Sequence, residues 1–553
     1  MDFDLVIKNG MVIDGTGRPR FRADVGIRKG RIAAVVAGGA LNGAEVLDAT
    51  GLVVAPGFID VHTHFDWNLP LADHDQTLAP IVLQGVTTVV TGNCGSSAAP
   101  VNEASIPLLA YRLSAYGASS ETDETEGQQP YFRWRSVAEY LDILESDGVL
   151  LNTAFLVGHG SLRYAVMGER ADGGSPTPEE VGAMRQHARQ ALREGAFGLS
   201  AGLAYEPGMH ADAEELLPLL ETTAEEGGFY AVHSRSYSCI SPFYPPDLDT
   251  PSNVLATREQ LELAQRAGVR LQLSHLIFHG RHTWPTYRTV LNDVEQATAQ
   301  GLDVAFDAFP YTFGNTTIHV NFPKWFLRDL FNNINDSEAL CRLEKEMAHR
   351  HRLIGRDYSD IILMHGAAPE LAELEGLNFA AIAQRLGTSE FEAYMHVARV
   401  GGSAARILQD TYSGDSESEE PLRAILKHPR CAFMTDTLIF REGYPNRATY
   451  GAFPRLLGHY GRDLSLFPLE EAVHRMTGFS AERLGLEKEI GRVAEGYWAD
   501  LVLFDPETVA DNSTREHPNA APVGIKTVLL TGQVTTRDGK IVGKQRRGRV
   551  LRR

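Results

Sequence analysis

Cysteine is scarce in this chain: four among 553 residues, Cys94, Cys239, Cys341 and Cys431, with no CxxC pair. That excludes a disulfide framework for a protein of this size and favours a reducing compartment. Long apolar runs are also missing. No stretch approaches the roughly 18 residues a membrane span needs, and the opening MDFDLVIKNG lacks the basic-then-apolar plan of a secretion signal. Positive charge is short, with 52 Lys and Arg against 71 Asp and Glu, a net charge of −19. Such a surface repels phosphate backbones and anionic lipid, so neither nucleic acid nor membrane is expected as a partner. The one basic patch, Lys544 to Arg553, reads as a solvated end. A cytoplasmic protein acting on a small molecule is the expectation, with homo-oligomerisation left open.

What is present is globular: 43% hydrophobic and 22% charged residues. The first 56 residues alternate apolar and polar positions between NG, DG and KG turn signals, as short antiparallel strands do. The stretch from 486 to 553 repeats that texture, so both ends are expected to build one small β-sandwich. Between them, residues 57–485 alternate short apolar runs with amphipathic stretches such as PTPEEVGAMRQHARQALREG. Nine runs qualify as strands: APGFIDVHTH, TTVVTGN, NTAFLVGHG, AFGLSAGL, FYAVHS, RLQLSHL, DVAFDAFPY, IILMH and CAFMTD. Strand–helix alternation repeated about eight times predicts an α/β fold, a (β/α)8 TIM-like barrel. Residues 313–360 exceed what a simple connection needs and are expected to form an insertion over the barrel mouth.

Side chains at the C-terminal ends of barrel strands converge on one mouth, so the strand endings carry the chemistry. GFIDVHTH ends in His62 and His64, which at i and i+2 face the same side and can share a metal. TTVVTGN leads into Cys94, FYAVHS ends near His233, RLQLSHL near His275, and CAFMTD in Asp436. Each alone has a plainer explanation: a buried thiol, a satisfied histidine, a turn aspartate. Together they are a set of zinc-type ligands on successive strands, and a metal site follows. Other polar clusters are set aside. His279 and His282 read as loop residues, Asp73-His74-Asp75 as a solvated turn, and His349 and His351 as part of a charged surface helix.

PGFIDVHTHFD, GVTTVVTGNCG, GAFGLSAGLAYEPG, SHL, MTDT, YGAFPRLLG and GRVAEGYWADLVLFDP resemble the amidohydrolase superfamily, in particular its N-acyl-D-amino-acid deacylase (D-aminoacylase) branch. The match runs over nearly the whole chain. Many superfamily members bridge two metals with a carboxylated lysine; this branch uses a cysteine, and Asn93-Cys94-Gly95 is the discriminating element. The resemblance implies a barrel with a β-sandwich and zinc. Cys94, His233 and His275 match the tight zinc site; His62, His64 and Asp436 match a second, weaker one, empty or partly filled. Asp436 also matches the catalytic acid/base, which takes a proton from the attacking water and returns it to the leaving nitrogen. His159 and Arg163, in VGHGSLR, match a motif near the mouth and join the substrate-binding candidates, though supporting the metal residues is their plainer role.

Two departures bear on substrate. The branch places a lysine two residues after the histidine of its SHxK strand to meet the substrate carboxylate, and here that position is Ile277. Arg447, in PNRATYGAFPR, is out of register by one residue but can still reach an anionic group. Tyr311 matches a tyrosine that contacts substrate. The expected activity is hydrolysis of a linear amide, an N-acyl-D-amino acid or a related N-acyl compound. The alternatives are a cyclic amidase of the dihydropyrimidinase or hydantoinase type, a nucleophilic-cysteine enzyme and, last, a non-catalytic scaffold of the same fold.

Overall fold

In the computed structural model, residues 3–39, 41–115, 131–245, 249–543 and 546–553 are described. Eight parallel strands form the central sheet: β1 (Phe58–Asp60), β2 (Val86–Thr91), β3 (Asn152–Gly158), β4 (Gly198–Gly202), β5 (Phe229–His233), β6 (Arg270–Leu273), β7 (Val304–Ala308) and β8 (Cys431–Phe433). They hydrogen-bond in chain order. The Asp436 amide donates to the His62 carbonyl at 3.1 Å, drawing β8 against β1. Asp60 helps: one oxygen accepts from the Thr435 amide, the other from its hydroxyl. The result is the expected (β/α)8 barrel. Its strands carry almost no exposed residue, because helices cover the outside and side chains fill the inside. The helix Pro178–Arg193 illustrates the outer ring. Thr177 and Glu180 form a reciprocal cap at its start, Pro178 fits the first turn, and Met184, Ala188, Ala191 and Leu192 face inward.

The two ends of the chain do share one β-domain, as a single hydrogen-bonded path of nine strands. Its join is Val53–Pro56, which pairs parallel with Met11–Val12 on one side and antiparallel with Leu501–Phe504 on the other. Strand periodicity then sorts the residues. Leu501 and Leu503 face a core with Leu5, Ile7, Val25 and Ile27, whereas Val502 and Phe504 face the barrel.

IILMH is not a barrel strand. Ile361–His365 lies in a separate antiparallel sheet with Gly314–Thr317 and Arg406–Gln409. The excursion between β7 and β8 therefore runs on well past residue 360. It has its own apolar core, including Ile318, Phe326, Leu343, Leu363, Phe379 and Tyr394.

Three smaller expectations also change. The described part of the basic tail is docked rather than solvated: Val149 bridges Gly548, Thr153 bridges Val550, and Leu551 is buried. Its arginines meet acids, Arg549 with Asp500 at 2.9 Å and Arg552 with Asp142 at 2.5 Å. Lys544 lies outside the described residues. His74 is buried, with Nδ1 2.9 Å from the Leu71 carbonyl. His351 is buried too, on the inner face of its helix and 2.7 Å from Arg356.

Candidate metal centre

The barrel mouth gathers all six metal-type residues. Cys94 Sγ lies 3.2 Å from His62 Nε2, 3.4 Å from His275 Nε2 and 3.8 Å from His233 Nδ1. His233 Nδ1 and His275 Nε2 are 2.9 Å apart. An Asp436 oxygen stands 3.4 Å from Nε2 of both His62 and His64. Three groups of donor atoms each fall within 4.8 Å of one another: Cys94 with His233 and His275, Cys94 with His62 and His64, and His62 with His275 and Asp436. The expected tight triad is thus one compact group. The expected second set is compact only around Cys94 or His275, so the thiol stands between the two halves.

Local backbone aims these side chains. Cys94, His275 and Asp436 have φ of +53°, +31° and +49°, a region non-glycine residues rarely occupy. Each costs on the order of 1–3 kcal/mol and persists only where surrounding contacts enforce it. For Cys94 that enforcement is visible. Gly95 packs so tightly that a β-carbon would lie 2.6 Å from the Gly202 nitrogen. Asp66 accepts from Thr91 Oγ1 and the amides of Gly92 and Ala98, pinning the loop on both sides of the thiol.

The electrostatics match the donor set. Burial resists ionisation of Cys94, yet His62 and His275 hold its thiol well below the usual range. Burial likewise opposes charge on His62, but Cys94 and Asp307 raise it well above normal. His64 is lifted to about 9 against its burial, by Asp436 and Cys94. His233 is pushed down to about 4, by burial and the neighbouring His275. Asp436 stays below the ordinary carboxylate range despite burial, held there by His275, His64 and His62.

These residues fit zinc. Two ring nitrogens and a sulfur converge, and one proton between a pair can serve only that pair. Tetrahedral zinc, with bonds of about 2.0–2.1 Å to nitrogen and 2.3 Å to sulfur, separates its ligands by about 3.3–3.6 Å. The triad's separations of 2.9, 3.4 and 3.8 Å bracket that range.

Several supporting residues escaped the sequence reasoning. Asp307, at the end of β7, accepts from the His275 amide at 2.6 Å and from Gln272 at 2.8 Å, and lies 3.4 Å from His62 Nδ1. It orients two imidazoles, as carboxylates behind metal-binding histidines do. Tyr237 donates its hydroxyl to the Ser274 carbonyl and sets its ring against His233 and His275. Tyr205 donates to the Cys94 carbonyl at 3.0 Å. Asp60 is driven up to about 7 by burial, against its bonds from Thr435. The only advance signal was an acid ending an apolar run: DVAFDAF for Asp307, GFID for Asp60.

The substrate-side candidates fall into two places. Tyr311 is buried and donates to Asp511 Oδ2 at 2.9 Å, with Arg447 and Arg455 over its ring. Arg447 is anchored to Ser513, by Nε on the hydroxyl at 3.0 Å and Nη2 on the carbonyl at 2.6 Å, and lies 3.4 Å from Asp511. His159 and Arg163 sit together at the end of β3 and in the helix after it, joined by Glu215. His159 Nε2 is 2.7 Å from Glu215. Arg163 is fully buried, spending its Nη groups on Glu215 and the carbonyls of Ala171 and Gly174. It holds the helix rather than offering a guanidinium to a ligand. Ile277 is partly buried against the main core.

Known proteins resemble this arrangement over their whole length. The amidohydrolase family model matches residues 45–536. A D-aminoacylase from Alcaligenes xylosoxydans xylosoxydans is 35% identical, covering 100% of this chain and 98% of its own. A crystal structure of D-aminoacylase, said to define a novel subset of amidohydrolases, superposes with a TM-score of 0.79 at 33% identity, covering 100% of both chains. The N-acyl-D-glutamate deacylase of Bordetella bronchiseptica, solved with zinc and a phosphonate that mimics the tetrahedral intermediate, gives 0.78 at 32% identity, again over 100% of both. The chain belongs to the amidohydrolase family.

Proposed function

We propose that the protein is a zinc-dependent hydrolase that deacylates N-acyl-D-amino acids. The observation that carries this is the meeting of Cys94, His233 and His275 beside Asp436 at the barrel mouth. It is supported by full-length likeness to a D-aminoacylase and an N-acyl-D-glutamate deacylase. Cys94, His233 and His275 would hold the principal ion; His62, His64 and Asp436 would serve a second. Zinc at such a site supplies Lewis acidity, making water a stronger acid and an amide carbonyl a better electrophile.

The chain's own groups do the proton work. Asp436 is ionised at neutral pH, kept so by three imidazoles after burial has opposed it. Its oxygen can accept the proton of the attacking water and pass it to the leaving nitrogen. Asn315 steadies it by donating to the Asp436 carbonyl at 2.9 Å. Asp307 keeps His62 and His275 turned inward, and Tyr205 and Tyr237 close the sides around His233. Tyr311, Arg447 and His159 are assigned to the substrate side.

Residues 1–56 and 486–553 are taken as one unit and 57–485 as the catalytic barrel. Four free cysteines and a net charge of −19 support a cytoplasmic protein without nucleic-acid or membrane partners. Among the described residues, no helix is long and apolar enough to cross a membrane. The test is a metal assay joined to a screen of N-acyl-D- and N-acyl-L-amino acids and their amides. Zinc-dependent release of D-amino acids is expected. Activity untouched by chelators, or a trapped acyl-cysteine, would refute the proposal.

A further inference from the structure

The arginines around the mouth differ in one respect. Arg163 has Glu215, Arg235 has Glu259 at 2.9 Å, Arg447 has Asp511 at 3.4 Å, and Arg455 has Glu419 at 3.7 Å. Arg356, from the insertion, has no acid. It is 3% exposed, and its partners are His279 Nε2 at 3.2 Å, His351 Nε2 at 2.7 Å and Asn321 Oδ1 at 3.1 Å. Burial, with Arg356 itself, holds both imidazoles well below their usual range, so they are neutral acceptors. The Arg356 Nε is buried with no partner at all. A buried cation left without an anion is costly, and a protein keeps one where an anion arrives.

The path from Arg356 to the metal residues is short. His279 follows His275 on the loop after β6, and its amide donates to the Tyr237 carbonyl at 2.8 Å. Tyr237 packs on His233 and His275. On the other side the His279 ring meets Tyr412 at 4.9 Å, and the two residues bridge through their backbones. Tyr412 lies within the fields of both Arg356 and Asp436. Ile277, two residues before His279, brings no charge to this side. Arg447, opposite, is already neutralised by Asp511.

We propose that Arg356 is the specificity-determining cation that receives the substrate carboxylate, with His279 and His351 holding its guanidinium in place. The inference rests on the deacylase proposal and adds the group that recognises the acid. Guanidinium suits the role because its spare N–H groups can pair a carboxylate while the rest stay engaged.

The experiment compares each N-acyl-D-amino acid with its own amide, for the wild type, Arg356→Gln and Arg356→Lys, all at measured zinc content. Hydrogen bonds to charged groups are worth about 1.5–3 kcal/mol, so Arg356→Gln should lose about 10–100-fold in kcat/KM for acids, chiefly through KM. The amides should stay within about threefold, and Arg356→Lys should keep a reduced preference for acids. Equal loss on acids and amides, in whichever variant folds, overturns the assignment. A wild type that cleaves neither acid nor amide sinks the deacylase proposal instead, so the two failures are distinguishable.

Discussion

Glu215 offers the sharpest test of how the mouth is built. Its carboxylate is 2% exposed and clasps His159 on one oxygen and the fully buried Arg163 on the other. Burial alone would raise its pKa, but His159 and Arg163 overcome that and bring it down to about 2 from the model glutamate value of 4.5. At about 1.36 kcal/mol per unit, the clasp contributes about 3 kcal/mol when ionised. The sign follows from linkage. The folded-state pKa is depressed, so the stability is fully present above about pH 4.5 and drains away as pH falls toward 2. Glu215→Gln should therefore lower the unfolding free energy by about 3 kcal/mol at pH 7. Urea unfolding followed by tryptophan fluorescence from pH 3 to 8 should show the gap to the wild type narrowing at the acid end. A gap of the same size at every pH, or one below about 0.5 kcal/mol at pH 7, refutes the reasoning.

Other expectations concern the metal. Cys94→Ala should lose both zinc and activity, since no neighbouring group replaces a thiolate; stoichiometric zinc by elemental analysis would contradict the site. Asp436→Ala should keep the principal ion but lose about 100- to 10,000-fold in kcat, the usual worth of general acid–base catalysis. A near-normal kcat would remove Asp436 from the proton path. Asp307→Asn should weaken zinc binding about 10- to 100-fold, measured by chelator competition, because His62 and His275 lose their orienting carboxylate.

The metal residues were legible because a barrel displays the ends of its strands. A histidine, cysteine or aspartate closing an apolar run stands out, and those at 62, 64, 94, 233, 275 and 436 all lie at the mouth. Asp307 and Asp60 follow the same rule but were passed over, since an acid near a turn is ordinary until its partners are known. IILMH shows the limit of periodicity. A short apolar run predicts a strand, but the pairing that takes it to Gly314–Thr317 and Arg406–Gln409 rather than the barrel is set by distant residues. The docked tail was hidden likewise: its arginines read as solvated charge until Asp500 and Asp142 are found across from them. Arg356 and His351 looked like surface helix, because only tertiary packing turns that face inward.

The seam at Val53–Pro56 orders events during synthesis. One edge of that strand can pair as soon as the first residues leave the ribosome, but the other waits for Leu501–Phe504, nearly the whole polypeptide later. Throughout translation the nascent barrel carries an uncovered apolar rim just ahead of His62 and His64. A message truncated before codon 501 would yield a product bearing all six metal-type residues yet lacking the strand that covers that rim, and such a product should be prone to aggregation.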